Sequence, residues 1–467
     1  MKKNKLLFVL STSLISVSVL AGCNKGGGKI ELKIGFWPEA TETKDIAMYN
    51  DWKAAFEADY PQYEIVDDPY EYSLDTIFTK YNMGTLPDVF QTWFTEPLKL
   101  SQNGIISDVT KQLTDLNGLS KMDDGMRDTL TFDGKIYGVP RDGYGLGLLL
   151  NKKTLADLDL LPTIDGKPSI FDKDGNKVYP TTFEQIHEWG ETITEWSDTK
   201  AIYILASNKQ GGWQFNNMVW NYGDEFQKQE GGKWKSNLNS KAAVDALTWI
   251  QTMMQDEYLL NGTSGVYDDW PTLIGEKVAM AIVGSDVLQN ATLKADVPME
   301  DLAFVPMPTG DGTHHYSLYG GTPFVFNSRT SDEKVEGILK FFEYIGRAPS
   351  NSAICKSAIE KGYEVAKSKN QPILPKIMPW KNKEYLDMAK ELENKYVNVD
   401  MKDFNPFFDT IQQYKKTEEP NCTQQMYECL DTAIKSVLDN PDTANPDALL
   451  TTANSTFQNI LDNEVNK

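Results

Sequence analysis

Histidine and cysteine are scarce, with three and four residues respectively in a chain of 467. His187 stands alone, and His314 and His315 sit together in a Gly-Asp-Gly turn, so neither a metal centre nor a resident cofactor is expected. One cysteine, Cys23, lies in the N-terminal leader. The other three, Cys355, Cys422 and Cys429, are an odd number, which argues against a disulfide framework. Cys422 and Cys429 can pair only if the chain turns between them, because on one helix their separation is roughly 10 Å of rise. Nucleotide and calcium loops are missing too. There is no GxxxxGK[ST] stretch, and the glycines at 143, 145 and 147 lack the third spacing and the helix start of a dinucleotide loop. "DKDGN" at 172–176 opens like a calcium loop, but Lys177 stands at the required glycine and Phe183 at the acidic twelfth position. Positive charge is in deficit: 46 Lys and Arg against 67 Asp and Glu give a net charge of -21, which disfavours nucleic acid and anionic membrane surfaces as partners. No run beyond the leader approaches bilayer length, and no internal repeat is visible.

What is present begins with the leader. Lys2, Lys3 and Lys5 form a charged start and Leu6 through Leu20 an apolar run, the pattern of an export signal over residues 1–22. Its exit, Leu20-Ala21-Gly22-Cys23, resembles the bacterial lipobox, in which the cysteine is lipidated and becomes the new N-terminus. Residues 23–28 then read as lipidated Cys23 and a flexible tether through Gly26, Gly27 and Gly28. Two acyl chains, at about 0.8 kcal/mol per buried methylene, anchor stably. The expected location is extracytoplasmic, lipid-anchored to a bacterial cell membrane.

About 440 residues remain, enough for two to three domains with ample core. Ile30, Leu32, Ile34 and Phe36 alternate at strand period, and Met48, Trp52, Ala55 and Phe56 share a helix face. Strands are expected from Tyr63, in "LPDVF", "GKIYGVP", "GLGLLLN", "KVAMAIVG" and "LAFVPMP". Helices are expected after a cap at Asn239 or Ser240, and after a capping box of Thr330 and Glu333 that leads Val335, Ile338, Leu339, Phe342 and Ile345. The C-terminal part, from about residue 380, reads as mostly helical. Residues 162–180 read as an inserted hairpin. Strands alternating with helices indicate an α/β class.

The stretch "GGWQFNNMVWNYG", residues 211–223, concentrates aromatic rings among glycines and amides. Gly211, Gly212 and Gly223 break helical spacing and three asparagines would need buried partners, so the stretch reads as a lined surface rather than a core helix. Sugar rings suit such a surface: an apolar C–H face and a hydroxyl rim call for flat rings edged by carboxylates, amides and guanidinium groups. About 50 Å² of covered sugar face gives on the order of 1 kcal/mol per ring. Trp37, Trp93, Trp213, Trp220 and Trp270 fall in loops or at strand ends and are the aromatic candidates. Trp52, Trp189 and Trp249 lie in helical patterns and are assigned to the core.

In order along the chain, "GFW", "FEADYPQYEI", "GTLPDVF", "NGIISDVT", "DGKIYGVP" with "LLLNKKTL", "YPTTFEQ", "GEKVAMAIVGSD", "PMPTGDG" and "YGGTPFVF" resemble the bacterial extracellular solute-binding proteins of family 1. These are the sugar-type, maltose-binding-protein-like lipoprotein receptors of ABC importers. The resemblance implies a hinged, two-lobed periplasmic-binding-protein-like fold of type II with the ligand cleft between lobes. Crossings are placed near Arg141 to Gly145, near Pro308 and near residue 375. Lobe 1 would then hold residues 29–141 and about 309–375, and lobe 2 about 145–308 and 376–467. It also implies that Glu39, Arg141, Asp142, Tyr144, Asp269, Ser285, Asp286, Tyr319 and Gly321 line the cleft beside the tryptophans. The implied partners are a carbohydrate, an ABC permease and its separate ATPase subunit, with the receptor a monomer that makes and breaks no bond. An exported glycoside hydrolase and a binding protein for a peptide or polyamine are the alternatives, with a surface adhesin behind them.

Overall fold

The computed structural model describes residues 28–467. The expected export signal and the expected lipidation at Cys23 lie outside the described residues.

Lobe 1 is organised on a four-stranded sheet in the order Phe324–Phe326, Val89–Gln91, Ile30–Ile34, Tyr63–Asp67. The strand Ile30–Ile34 forms where Leu32 and Ile34 turn inward and Glu31 and Lys33 outward. It runs parallel to both neighbours, as expected of strands linked through helices. The helix Thr43–Asp59 buries Met48 and Phe56, while Ala55 faces solvent, so the expected apolar face is narrower than its spacing suggested. The helix Asp332–Tyr344 packs Val335, Ile338, Leu339 and Phe342 onto this sheet. Its cap is Ser331, which accepts from the Lys334 amide, rather than Thr330, whose hydroxyl donates to the Asp88 carbonyl.

Lobe 2 is built around the strand Tyr144–Asn151, buried from Gly145 onward. Met280–Gly284, Leu302–Val305 and Ser317–Gly320 pair with it antiparallel, and Lys415–Thr417 extends the sheet beside Ser317–Gly320. The "GYGLGL" glycines serve this packing: a Cβ at Gly147 would lie 2.6 Å from the Phe304 ring, and one at Gly145 the same distance from Ser317 Oγ.

Two crossings fall elsewhere than expected. Because Ser317–Gly320 pairs with Tyr144 and Gly145 while Phe324–Phe326 pairs with Val89–Gln91, the second crossing spans residues 321–323 and not the region of Pro308. The helix Lys383–Tyr396 buries Tyr385, Met388 and Ala389 in the lobe 1 core, and Phe404 joins the lobe 2 core. The third crossing therefore follows Tyr396 instead of residue 375. Ahead of both, Val139 bridges to Phe324 and Tyr144 begins the lobe 2 strand.

Residues 162–180 form two short hairpin elements, Thr163–Ile164 with Lys167–Pro168, then a bridge from Phe171 to Lys177. Cys355, Cys422 and Cys429 are free thiols; Cys422 caps the helix Thr423–Asp439 that contains Cys429, so no turn brings the last two together.

Candidate functional site

The stretch 211–223 is where the structure departs most from the sequence reading. Residues Gln210–Trp220 form a largely buried helix. Its glycines permit close approach: a Cβ on Gly212 would sit 2.4 Å from the Tyr427 carbonyl oxygen, and one on Gly211 would sit 2.2 Å from the Leu205 carbonyl oxygen. Asn217 and Asn221 both donate to the Tyr316 carbonyl and Asn217 Oδ1 accepts from the Leu318 amide, while the buried Oδ1 atoms of Asn216 and Asn221 have no protein partner. Trp220 is 1% exposed and its indole donates to Glu419, so it belongs to the core.

Trp213, on another face of the same helix, points into the cleft between the lobes. The helix start is held by Asp431, whose carboxylate accepts from the Lys209 and Gly212 amides at 2.6 and 2.7 Å. Burial pushes Asp431 up to about 6 in spite of these bonds. Asn208 and Lys209 precede the helix with φ of 55° and 68°, left-handed conformations that the Asp431 bond helps to hold.

Around Trp213 a cavity of about 460 Å³ opens, within the range of small-molecule sites. Tyr144 and Tyr267 meet the Trp213 indole edge-on at 6.0 and 5.1 Å. Tyr267 is tied down twice, its amide donating to Gln210 Oε1 and its hydroxyl accepting from the Gly284 amide. Tyr144 lies over Gly320, where any Cβ would be 2.3 Å from its hydroxyl. The lobe 1 side supplies Trp93, 41% exposed and edge-on to Tyr72 at 5.3 Å, and Thr95, whose hydroxyl accepts from Gln424 across the cleft at 3.1 Å.

Two carboxyl groups face this cavity. Asp286 meets water in the cleft, yet the surrounding protein desolvates it and, with the Asp142 charge nearby, pushes it up to about 7. Glu418 is also pushed up to about 7 by burial, although the Tyr427 hydroxyl donates to it at 2.8 Å. Lys209 is the cation of the lining. The surface thus offers rings, a neutral-to-anionic acceptor pair and side-chain amides.

Of the residues expected from sequence, the cavity gathers Trp93, Tyr144, Trp213, Asp286 and Gly321. The rest lie elsewhere. Trp37 is 8% exposed against Tyr49 in the lobe 1 core, and Trp270 is buried at the start of its helix. Tyr319 is buried beneath the sheet. Ser285 is buried and its hydroxyl accepts from the Gly145 amide. Glu39 and Asp269 are exposed and engaged locally, Glu39 through its amide to Glu42 and Asp269 by accepting from the Val266 amide. Arg141 and Asp142 pair at 2.9 Å in the first crossing and line a different, smaller cavity. Tyr267, Glu418, Gln424 and Tyr427 were not anticipated; three of them come from the C-terminal segment, where only helical periodicity was readable. Among the described residues no cluster of His, Cys, Asp or Glu suits a metal ion, and no helix is long and apolar enough to cross a membrane.

The comparisons with known proteins agree with this architecture. UgpB from Mycobacterium tuberculosis, solved with glycerophosphocholine, superposes with a TM-score of 0.67 at 16% identity, covering 94% of this chain and all of its own. The cyclic alpha-maltosyl-1,6-maltose binding protein from Arthrobacter globiformis gives 0.67 at 15% identity over 93% of this chain and all of its own. The GacH receptor of Streptomyces glaucescens, solved unliganded and with acarbose, gives 0.67 at 16% over 93% of this chain and 99% of its own. At these identities the likeness is one of fold, the two-lobed binding-protein fold. No curated protein matches the sequence. The profile of a bacterial extracellular solute-binding protein family matches residues 51–361, about two-thirds of the chain, and this chain belongs to that family.

Proposed function

We propose that the protein is a lipid-anchored extracytoplasmic receptor that captures a carbohydrate, a short oligosaccharide, in the cleft around Trp213 and delivers it to an ABC importer. The observation that carries this reading is the cluster of Tyr144, Trp213 and Tyr267, rings held edge to face with Asp286, Glu418 and Gln424 at their rim. Rings suit the C–H faces of pyranoses, and the rim supplies acceptors and donors for hydroxyls. The cyclic alpha-maltosyl-1,6-maltose binding protein and the acarbose-bound GacH receptor, which share the fold, support the ligand class. The Leu20-Ala21-Gly22-Cys23 exit supports the anchor at Cys23. Closure of the lobes on the ligand would create the shape a permease recognises, with transport energy supplied by a separate ATPase. The protein acts as a monomer.

Two carboxyl groups titrating near neutrality in one cavity favour, as a second reading, an acid and base for glycoside hydrolysis. Thermal unfolding against a panel of mono- and oligosaccharides, with amines and peptides as controls, separates the readings. A ligand specific to the native state adds about 2.7 kcal/mol at a hundredfold excess over its Kd. A selective midpoint rise with one glycan family that is recovered intact is the expected result. Breakdown of the glycan would establish the hydrolase, and shifts with amines or peptides alone would overturn the carbohydrate assignment.

A further inference from the structure

A second cavity, of about 140 Å³, lies in lobe 1 against the first crossing and shares no lining residue with the Trp213 cleft. Its polar lining is dominated by cations: Arg141, Arg347 and Lys376 surround one carboxylate, Asp142. In a chain where acids outnumber bases 67 to 46, this local excess is out of keeping with the whole. Asp142 is divided between two guanidinium groups, 2.9 Å from Arg141 Nε and 3.9 Å from Arg347 Nη1. The Lys376 ammonium makes no ion pair among the described residues and lies over the Tyr363 ring at 5.2 Å. Although its side chain is exposed, the surrounding protein desolvates it and, with the Arg347 charge, pushes it down to about 8. Glu393 acts on Lys376 only at longer range and forms no ion pair with it: its Oε1 accepts from the Lys376 backbone amide and its Oε2 lies 3.9 Å from Lys390.

We propose that this cavity is a second binding site, which takes a small oxyanion, a phosphate or carboxylate group, between Arg141, Arg347 and Lys376. The volume is several times that of a water molecule and suits one such group. Planar guanidinium donors match the paired oxygens of either anion, and the ammonium adds a point charge opposite. Arg347 also donates to the Arg141 carbonyl at 3.1 Å, so the occupant shares its clamp with the segment that joins the lobes. The site does not depend on what the Trp213 cleft binds.

The test is calorimetric titration of the protein, without sugar, with inorganic phosphate and separately with acetate, ionic strength held constant with chloride. Saturable one-site binding of at least one anion in the millimolar range or tighter is expected, and the tighter of the two identifies the group. Lys376→Met, a change at an exposed side chain, is expected to weaken it about tenfold or more, and Arg347→Gln likewise. Thermal midpoints verify that both variants fold; should Arg347→Gln unfold, Lys376→Met decides alone. No saturable binding of either anion, or binding that Lys376→Met leaves unchanged, would overturn the proposal.

Discussion

Lobe 2 presents Tyr144, Trp213 and Tyr267 to the cleft on elements fixed from several sides: Asp431 holds the helix start, Tyr427 packs against Gly212, and Tyr267 is bonded at both its amide and its hydroxyl. Lobe 1 presents Trp93, 41% exposed and steadied by one edge contact with Tyr72, and Thr95, whose hydroxyl donates to Glu96 and accepts from Gln424. The difference assigns the lobes different tasks. A platform ordered before the ligand arrives loses little conformational freedom on binding, so under the proposed function lobe 2 would be the surface the ligand meets first. Lobe 1 would then contribute as the lobes close over it.

The most damaging change to the platform acts from beneath it. Trp220→Ala removes a fully buried indole and leaves Glu419 without that donor, so it is expected to destabilise the fold by ~3–5 kcal/mol in urea unfolding. A loss below ~1 kcal/mol would mean Trp220 is not core. Gly212→Ala is next. Its methyl would collide with Tyr427 backbone, which cannot yield as a flexible side chain would, and the forced shift is expected to cost ~1–3 kcal/mol and to carry Trp213 with it.

Those two residues also show what the sequence concealed. Helical periodicity in 211–223 was present, but Gly211 and Gly212 read as interruptions because nothing local reveals that the helix Thr423–Asp439 lies against them. Trp213 and Trp220 occupy the same chemical context in sequence; only the packing of the helix sends one to the cleft and the other inward. Strands with strong alternation or continuous apolar runs, such as Ile30–Ile34 and Tyr144–Asn151, were legible because burial on one or both faces writes itself into composition. The second crossing lies away from Pro308 because the pairing of Ser317–Gly320 with Tyr144 and Gly145 is a long-range fact with no local signal. Glu418 and Tyr427 reach the cavity through that same distant pairing and helix packing, which leave no local mark.

Between the lobes, Asp286 gives a pH-dependent test. Its folded value of about 7 lies above the ordinary aspartate value of 3.8, so the folded state holds the extra proton between these two values. Its stabilising contribution is complete below the unfolded value and is lost as pH rises through about 7. The thermal midpoint of the ligand-free wild type should therefore fall relative to Asp286→Asn as pH rises across that window. Parallel midpoints for the two proteins would contradict the raised value. Trp93→Ala has the smallest expected effect, a loss of ~0.5–1 kcal/mol in glycan affinity, seen as faster dissociation in stopped-flow with little change in association. A larger loss than from the platform would reverse the assigned order of the lobes.

The most direct test titrates the glycan selected by thermal unfolding into wild type and Trp213→Ala side by side in the calorimeter. One-site binding in the wild type, weakened roughly tenfold in a variant that unfolds at nearly the wild-type temperature, is the predicted result. Equal affinities would contradict the claim that the Trp213 cleft is where the ligand binds.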